Sequence, residues 1–145
     1  MTATTSLHAT SVAIGGRAVL LTGASGAGKS DLALRLIDRG ATLVSDDYTI
    51  VTADGAALVA DAPATIAGRI EIRGVGIVSR PFAGRVPVAL IVDLDRPARR
   101  MPEPALSQIC GIVIPTIGLH GLEPSAPIKV EAALLLHGLA ASCSL

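Results

Sequence analysis

A glycine-rich loop between a strand-like and a helix-like segment restricts what this chain can fold into more than any other feature. The loop is Gly23-Ala24-Ser25-Gly26-Ala27-Gly28-Lys29-Ser30, a complete G-x-x-x-x-G-K-[ST] pattern. Arg17-Ala18-Val19-Leu20-Leu21-Thr22 precedes it with buried-strand character, and Asp31 to Arg39 follows with Leu32, Ala33, Leu36 and Ile37 at helical spacing. That order aims a row of free backbone N–H groups and the positive end of a helix dipole at one point. Glycines let such a loop close around a phosphate chain without Cβ clashes. Lys29, one of only two lysines in the chain, can reach the outer phosphates, and the Ser30 hydroxyl can ligate Mg²⁺. The pattern implies nucleotide or polyphosphate binding; its bland alternative is a glycine-rich turn entering an ordinary helix.

Around the loop the sequence predicts a mixed α/β fold with hairpins. Ala9 to Ile14 reads as a strand that turns at Gly15-Gly16 into Arg17 to Thr22. Arg39-Gly40 closes the helix with a basic last turn and a glycine after it. Thr42 to Ser45 is a short strand ending in Asp46-Asp47. Tyr48 to Thr52 continues extended, turns at Ala53-Asp54-Gly55 and returns through Ala56 to Ala60, so the sheet is not a plain doubly wound one. Ile66 to Ile72 is ambiguous between helical turn and strand, and Gly74 to Ser79 is strand-like. Val86 to Leu94 is the most hydrophobic run and predicts a central strand, with Pro87 near its start. Asp95 to Pro104 reads as a solvated loop, Cys110 to Ile114 as a strand, Pro115 to Pro127 as a loop and Ile128 to Leu139 as a helix.

The chain length of 145 residues predicts one domain over 1–145, with a frayed tail over 140–145. Twelve basic and twelve acidic residues balance, which argues against a broad nucleic-acid footprint, and a single Tyr and a single Phe leave no stacking platform for single strands. Cys110 and Cys143 fit neither a disulfide framework nor a metal knuckle. No basic leader region and no membrane-length apolar run is present, so the expected setting is soluble and cytoplasmic, away from membranes.

The remaining polar residues divide by context. Asp46-Asp47 ends the strand after the loop's helix, where a carboxyl end faces bound phosphate in a βαβ unit. Paired carboxylates there are costly without a cation or shared proton, which favours a functional role over an Asp-rich turn. Glu71, within Arg69-Ile70-Glu71-Ile72-Arg73, reads by itself as half of a surface ion pair. His8 by itself reads as exposed, His120 as part of a turn, and His137 as a helix-end residue.

Together the segments resemble the catalytic domain of the HPr kinase/phosphorylase family, whose members phosphorylate a serine of the phosphocarrier protein HPr. The resemblance runs through Leu7-His8, GASGAGKSD, RGATLVSDD, IEIRGVGIV, IPTIG and IKVEAALLL, from His8 to the C-terminal helix. It implies a P-loop nucleotide-binding fold akin to phosphoenolpyruvate carboxykinase, ATP and Mg²⁺ as cofactors, and HPr or another protein of a phosphotransferase or two-component regulatory system as partner. Homo-oligomeric assembly is a family trait. By the resemblance, His8, Lys29, Asp47 and Asp46 form the catalytic group. Asp47 takes the proton from the acceptor serine and returns it in dephosphorylation, while Ser30 and Glu71 ligate magnesium. The family's Gly-Arg-Asn segment has no counterpart in Pro115-Thr116-Ile117-Gly118-Leu119-His120-Gly121, where His120 stands near the arginine's place. The stretch Phe82 to Cys110 is short, and the resemblance finds no counterpart of the helices that grip HPr beyond Leu139, so the form expected is a short, single-domain one. Two other readings stay open: a small-molecule kinase, and a nucleotide- or phosphate-sensing module with little turnover.

Overall fold

A computed structural model describes residues 3–140. The tail expected to fray lies outside these residues from 141 onward, as does Cys143. In chain order the elements are β1 (Thr4–Leu7), β2 (Ala9–Ile14), β3 (Arg17–Thr22), α1 (Lys29–Asp38), β4 (Thr42–Ser45), β5 (Thr49–Asp54) and β6 (Ala57–Asp61). They continue with β7 (Arg69–Ile72), β8 (Gly76–Ser79), β9 (Val86–Asp93), β10 (Ala105–Ile109), β11 (Ile112–Gly118) and α2 (Ala126–His137). Among these residues no helix is long and apolar enough to cross a membrane.

A nine-stranded mixed sheet carries the architecture, in the order β1-β5-β6-β9-β3-β2-β4, with β11 also pairing β9 and β10 pairing β11. Both faces of its centre are buried, which is why β3 and β9 read as almost continuous apolar runs. Strand alternation splits β3 between two cores. Val19 and Leu21 join Leu32, Leu36, Val130 and Leu134 beneath the helices. Ala18 and Leu20 face the other way, toward Val51, Leu58 and Ile114, where the hairpins curl over the sheet. The hydroxyls buried among these strands are satisfied: Ser11 and Thr49 share a hydrogen bond of 2.8 Å, and Thr49 Oγ1 donates to the Ala9 carbonyl at 2.9 Å.

Helix α1 forms because Leu32, Ala33 and Leu36 make one buried stripe. It ends as its sequence requires. The Gly40 amide donates to Ile37 O and the Ala41 amide to Leu36 O, each at 3.0 Å, the paired bonds of a Schellman turn. Arg39 grips Glu131 of α2 through its Nε and Nη2, with a shortest contact of 2.7 Å.

The β2–β3 hairpin, α1, β4 and the central β9 lie where the sequence puts them, and the β5–β6 turn moves by about one residue, to Gly55-Ala56. Ile66 to Ile72 resolves into turns followed by β7, which pairs only with β8. Two expectations fail. The strand expected over Cys110 to Ile114 begins later, because Cys110 and Gly111, with φ of 51° and 80°, form the β10–β11 turn. The loop expected from Pro115 to Pro127 is strand as far as Gly118 and helix from Ala126. Pro115 is tolerated because it pairs only with Leu106 of β10, and the parallel ladder to β9 starts at Thr116. The strands β1 and β10 were not expected.

Candidate functional site

Sheet register brings distant parts of the chain to one edge. Strand β3 ends at Thr22, opposite Ala9 of β2 and Asp93 of β9. Both β3 and β4 run antiparallel to β2, so they are parallel to each other and end on the same side, with Ser45 opposite Ser11. Gly118 of the parallel β11 lies opposite Asp93. The glycine loop, His8, Asp46-Asp47, Asp93 to Asp95 and the chain after Gly118 therefore all emerge together. This is the carboxyl edge at which open α/β sheets place their ligands.

The loop enters α1 through Gly28, whose φ of 96° is a left-handed conformation that favours glycine. No side chain caps the helix, so its first N–H groups point into the edge without an internal partner from a capping residue. Lys29 is buried and curls back over the loop, its Nζ donating to Gly23 O at 2.7 Å and Ala24 O at 3.2 Å. The loop's other end is tied down by Asp95, which accepts from the Ala24 amide at 2.8 Å. Asp93 in turn accepts from the Asp95 amide at 2.9 Å.

The two neighbouring aspartates diverge instead of forming a pair. Asp46 is buried and accepts from Ser30 Oγ at 2.6 Å, Thr10 Oγ1 at 3.2 Å and the Glu71 amide at 3.0 Å. It joins the end of the glycine loop, strand β2 and strand β7. Asp47 turns outward on a left-handed backbone, φ 69°, with its amide donating to Thr10 Oγ1 at 3.1 Å. Its Oδ1 hydrogen-bonds His8 Nε2 at 2.9 Å, and the two side chains remain 60% and 44% exposed. Tyr48 stacks on the His8 ring with centroids 5.2 Å apart, which limits the ring's freedom to turn.

A cleft of about 400 Å³ opens at this edge. Lys29, Ser30, Asp47 and Glu71 line it, with Arg73 from the β7–β8 turn. Leu34, Ile72 and Leu122 give it an apolar flank. Ser25, Gly26 and Gly28 of the loop border it, whereas His8, Gly23, Ala24, Ala27 and Asp46 do not line it. Among the described residues no three His, Cys, Asp or Glu side chains cluster as metal ligands. A magnesium site that borrows phosphate and water oxygens needs no such cluster. His120 is exposed and does not line the cleft.

Sequence reasoning missed Thr10, Tyr48, Asp95, Arg35 and Leu122. Thr10 and Asp95 had a signal of position, since each lies next to the edge-facing end of a strand beside the loop. Arg35 and Leu122 had none, because Arg35 reaches the Gly121 and Glu123 carbonyls on either side of Leu122 only through the path of the chain after β11.

The mixed sheet, the curl of its hairpins and the crowded carboxyl edge define a mixed α/β fold like that of a solved structure, the HPr(Ser) kinase/phosphatase from Coxiella burnetii. The two superpose with a TM-score of 0.80 at 29% identity, covering 92% of this chain and 90% of that one. Residues 1–83 match the family described as HPr Serine kinase C-terminal domain, and the chain belongs to it. It is 34% identical over 139 residues to the HPr kinase/phosphorylase of Lactobacillus acidophilus, covering 86% of this chain and 41% of that protein. Against the HPr kinase/phosphorylase of Geobacillus sp. it is 42% identical over 100 residues, covering 63% of this chain and 32% of the relative. The chain thus spans about a third to two-fifths of the length of the curated relatives it matches.

Proposed function

We propose that this chain is an ATP-dependent protein serine kinase of the HPr type, transferring the γ-phosphoryl group to a serine of HPr or a related phosphocarrier protein. The observation that carries the reading is the His8–Asp47 hydrogen bond of 2.9 Å, held open to solvent at the mouth of a cleft floored by the Lys29 loop. A metabolite kinase buries its acceptor; a carboxylate this exposed suits a hydroxyl presented on a protein.

In this reading the glycine loop and the start of α1 bind the ATP phosphates through backbone N–H groups, the P-loop role. Lys29 leaves its two carbonyl partners for phosphate oxygens and neutralises charge in the transition state. His8 engages Asp47 Oδ1, so Oδ2 is the oxygen that takes the proton as the acceptor serine Oγ attacks the γ-phosphorus. The bond from that phosphorus to the bridging oxygen of ADP breaks, and ADP leaves with the electron pair. Ser30 and Glu71 offer hard oxygen donors on one cleft wall, which fits Mg²⁺; when bound, it would offset the charge of the phosphates. Asp46 serves by position, holding Ser30 and the Glu71 backbone in place.

The test incubates the protein with radiolabelled ATP, Mg²⁺ and purified HPr beside an Asp47→Asn variant. Label on an HPr serine, reduced at least about a hundredfold in the variant, is the expected result. Tight ATP binding without label on HPr refutes the acceptor assignment and favours a nucleotide-sensing module.

A further inference from the structure

Arg35 is placed to do more than decorate α1. Its Nε donates to Asp31 Oδ2 at 3.0 Å, an i,i+4 pair that by itself is worth only a few tenths of a kcal/mol. That pair aims the rest of the guanidinium fork across to the loop after β11. There Nη1 donates to Glu123 O at 2.9 Å and Nη2 donates to Gly121 O. On the near side of Leu122 the loop's own backbone bonds are long, at 3.4 Å for Leu119 N to Asp93 O and for Glu123 N to His120 O, while Ala126 N to Glu123 O at 3.0 Å ties its far end to α2. Arg35 is therefore the side chain that ties the loop on both sides of Leu122 to α1, the helix that follows the glycine loop.

What the tether holds is a close approach to the glycine loop. A Cβ on Gly121 would fall 2.7 Å from Leu94 Cδ1 and 3.0 Å from the Ala27 carbonyl, so a larger residue there would push Leu94 aside and crowd the glycine loop's backbone. The next residue, Leu122, then hangs over the last loop glycine: a Cβ on Gly28 would lie 2.7 Å from Leu122 Cδ2. Leu122 remains 66% exposed, an apolar side chain left in water at the rim of a charged cleft. Leu34 and Ile72 lie on the same cleft, whose other groups are Lys29, Ser30, Asp47 and Glu71.

An apolar side chain gains nothing from phosphate oxygens, but it gains by covering an uncharged ring. We propose that Leu122 is a nucleoside-binding residue, covering the base or ribose of a nucleotide whose phosphates lie on the glycine loop, and that Arg35 is the residue that positions it. The inference rests on the nucleotide reading of the cleft and adds the contact that separates a nucleotide from a bare polyphosphate. Lysine cannot replace Arg35, because one ammonium lacks the planar fork that reaches Asp31 and two carbonyls at once.

Calorimetry with ADP and with inorganic pyrophosphate, each with Mg²⁺, tests it on the wild-type protein, Leu122→Ala, Arg35→Met and the double variant. Leu122→Ala should weaken ADP about tenfold, the worth of covering one leucine side chain, and change pyrophosphate less than twofold. Arg35→Met should show the same selectivity, and the double variant should lose no more ADP affinity than the worse single one, because both act through one contact. Leu122 is exposed, so its truncation should leave the thermal midpoint in place and keep the test clear of unfolding. Equal losses for ADP and pyrophosphate would make the strap a mere support of the glycine loop and overturn the proposal, as would unchanged ADP affinity. A wild-type protein that binds neither ligand overturns the nucleotide reading itself.

Discussion

Replacing Asp46 with alanine should loosen β7 from the rest of the site, at a cost that can be worked from its contacts. The carboxylate accepts from Ser30 Oγ at 2.6 Å, Thr10 Oγ1 at 3.2 Å and the Glu71 amide at 3.0 Å. Ser30 borders the cleft and can turn its hydroxyl to water. Thr10 is fully buried, so its hydroxyl is stranded at about 1–3 kcal/mol, and the part-buried Glu71 N–H loses a bond to a charged acceptor worth about 1.5–3 kcal/mol. Recovery of the carboxylate's own desolvation offsets part of this, leaving about 3 kcal/mol. For a chain of this size that is a fall of about 9 °C in Tm. Asp46→Asn should cost only about 1 kcal/mol, because its amide oxygen can still accept from the Glu71 N–H while hydroxyls reverse roles to receive its NH₂. Thermal melts followed by circular dichroism give the stabilities, and amide exchange at Glu71 locates the damage. Alanine and asparagine variants of equal stability, or Glu71 exchange no faster than wild type, would refute the view that Asp46 fastens β7.

Cys110→Asn should stabilise the fold by up to about 1 kcal/mol in urea denaturation, since the two-residue β10–β11 turn holds this residue at φ 51°, where asparagine is favoured and cysteine is not. Lys129 donates to Glu123 Oε2 at 2.7 Å and holds that carboxyl below its ordinary range, chiefly through the hydrogen bond. The pair's contribution is present above the ordinary carboxylate range and is lost as pH falls through the lowered value. Lys129→Met should therefore raise the Glu123 midpoint in an NMR titration and leave acid stability unchanged.

Local pattern made the centre of this fold legible. The Gly15-Gly16 hairpin, the glycine loop, the Leu32–Leu36 stripe and the Gly40 turn are each specified by neighbouring residues, and β9 announces itself because both its faces are buried. What escaped is what depends on partners far along the chain. Thr4–Leu7 has no apolar alternation and is a strand only because β5 offers it an edge. Ile112–Gly118 contains Pro115 and still extends, because pairing with β10 and β9 outweighs the break that proline suggests. At the site, the residue types of Lys29, Ser30, Asp47 and Glu71 were readable, and the structure brings all of them to one cleft. The opposite duties of Asp46 and Asp47 were not, since adjacent residues diverge here through a left-handed backbone at Asp47 that no neighbouring glycine advertises.

The convergence of chain segments at one sheet edge also sets an order of events during synthesis. The glycine loop leaves the ribosome long before Val86–Asp93, the strand that lies beside β3, and before Arg35 has Gly121 and Glu123 to hold. Until about residue 123 has emerged, the nascent chain carries the glycine loop without the scaffold that shapes it. The matching segment that ends at residue 83 therefore contains every cleft-lining residue but Leu122, and not the central strand that keeps them together.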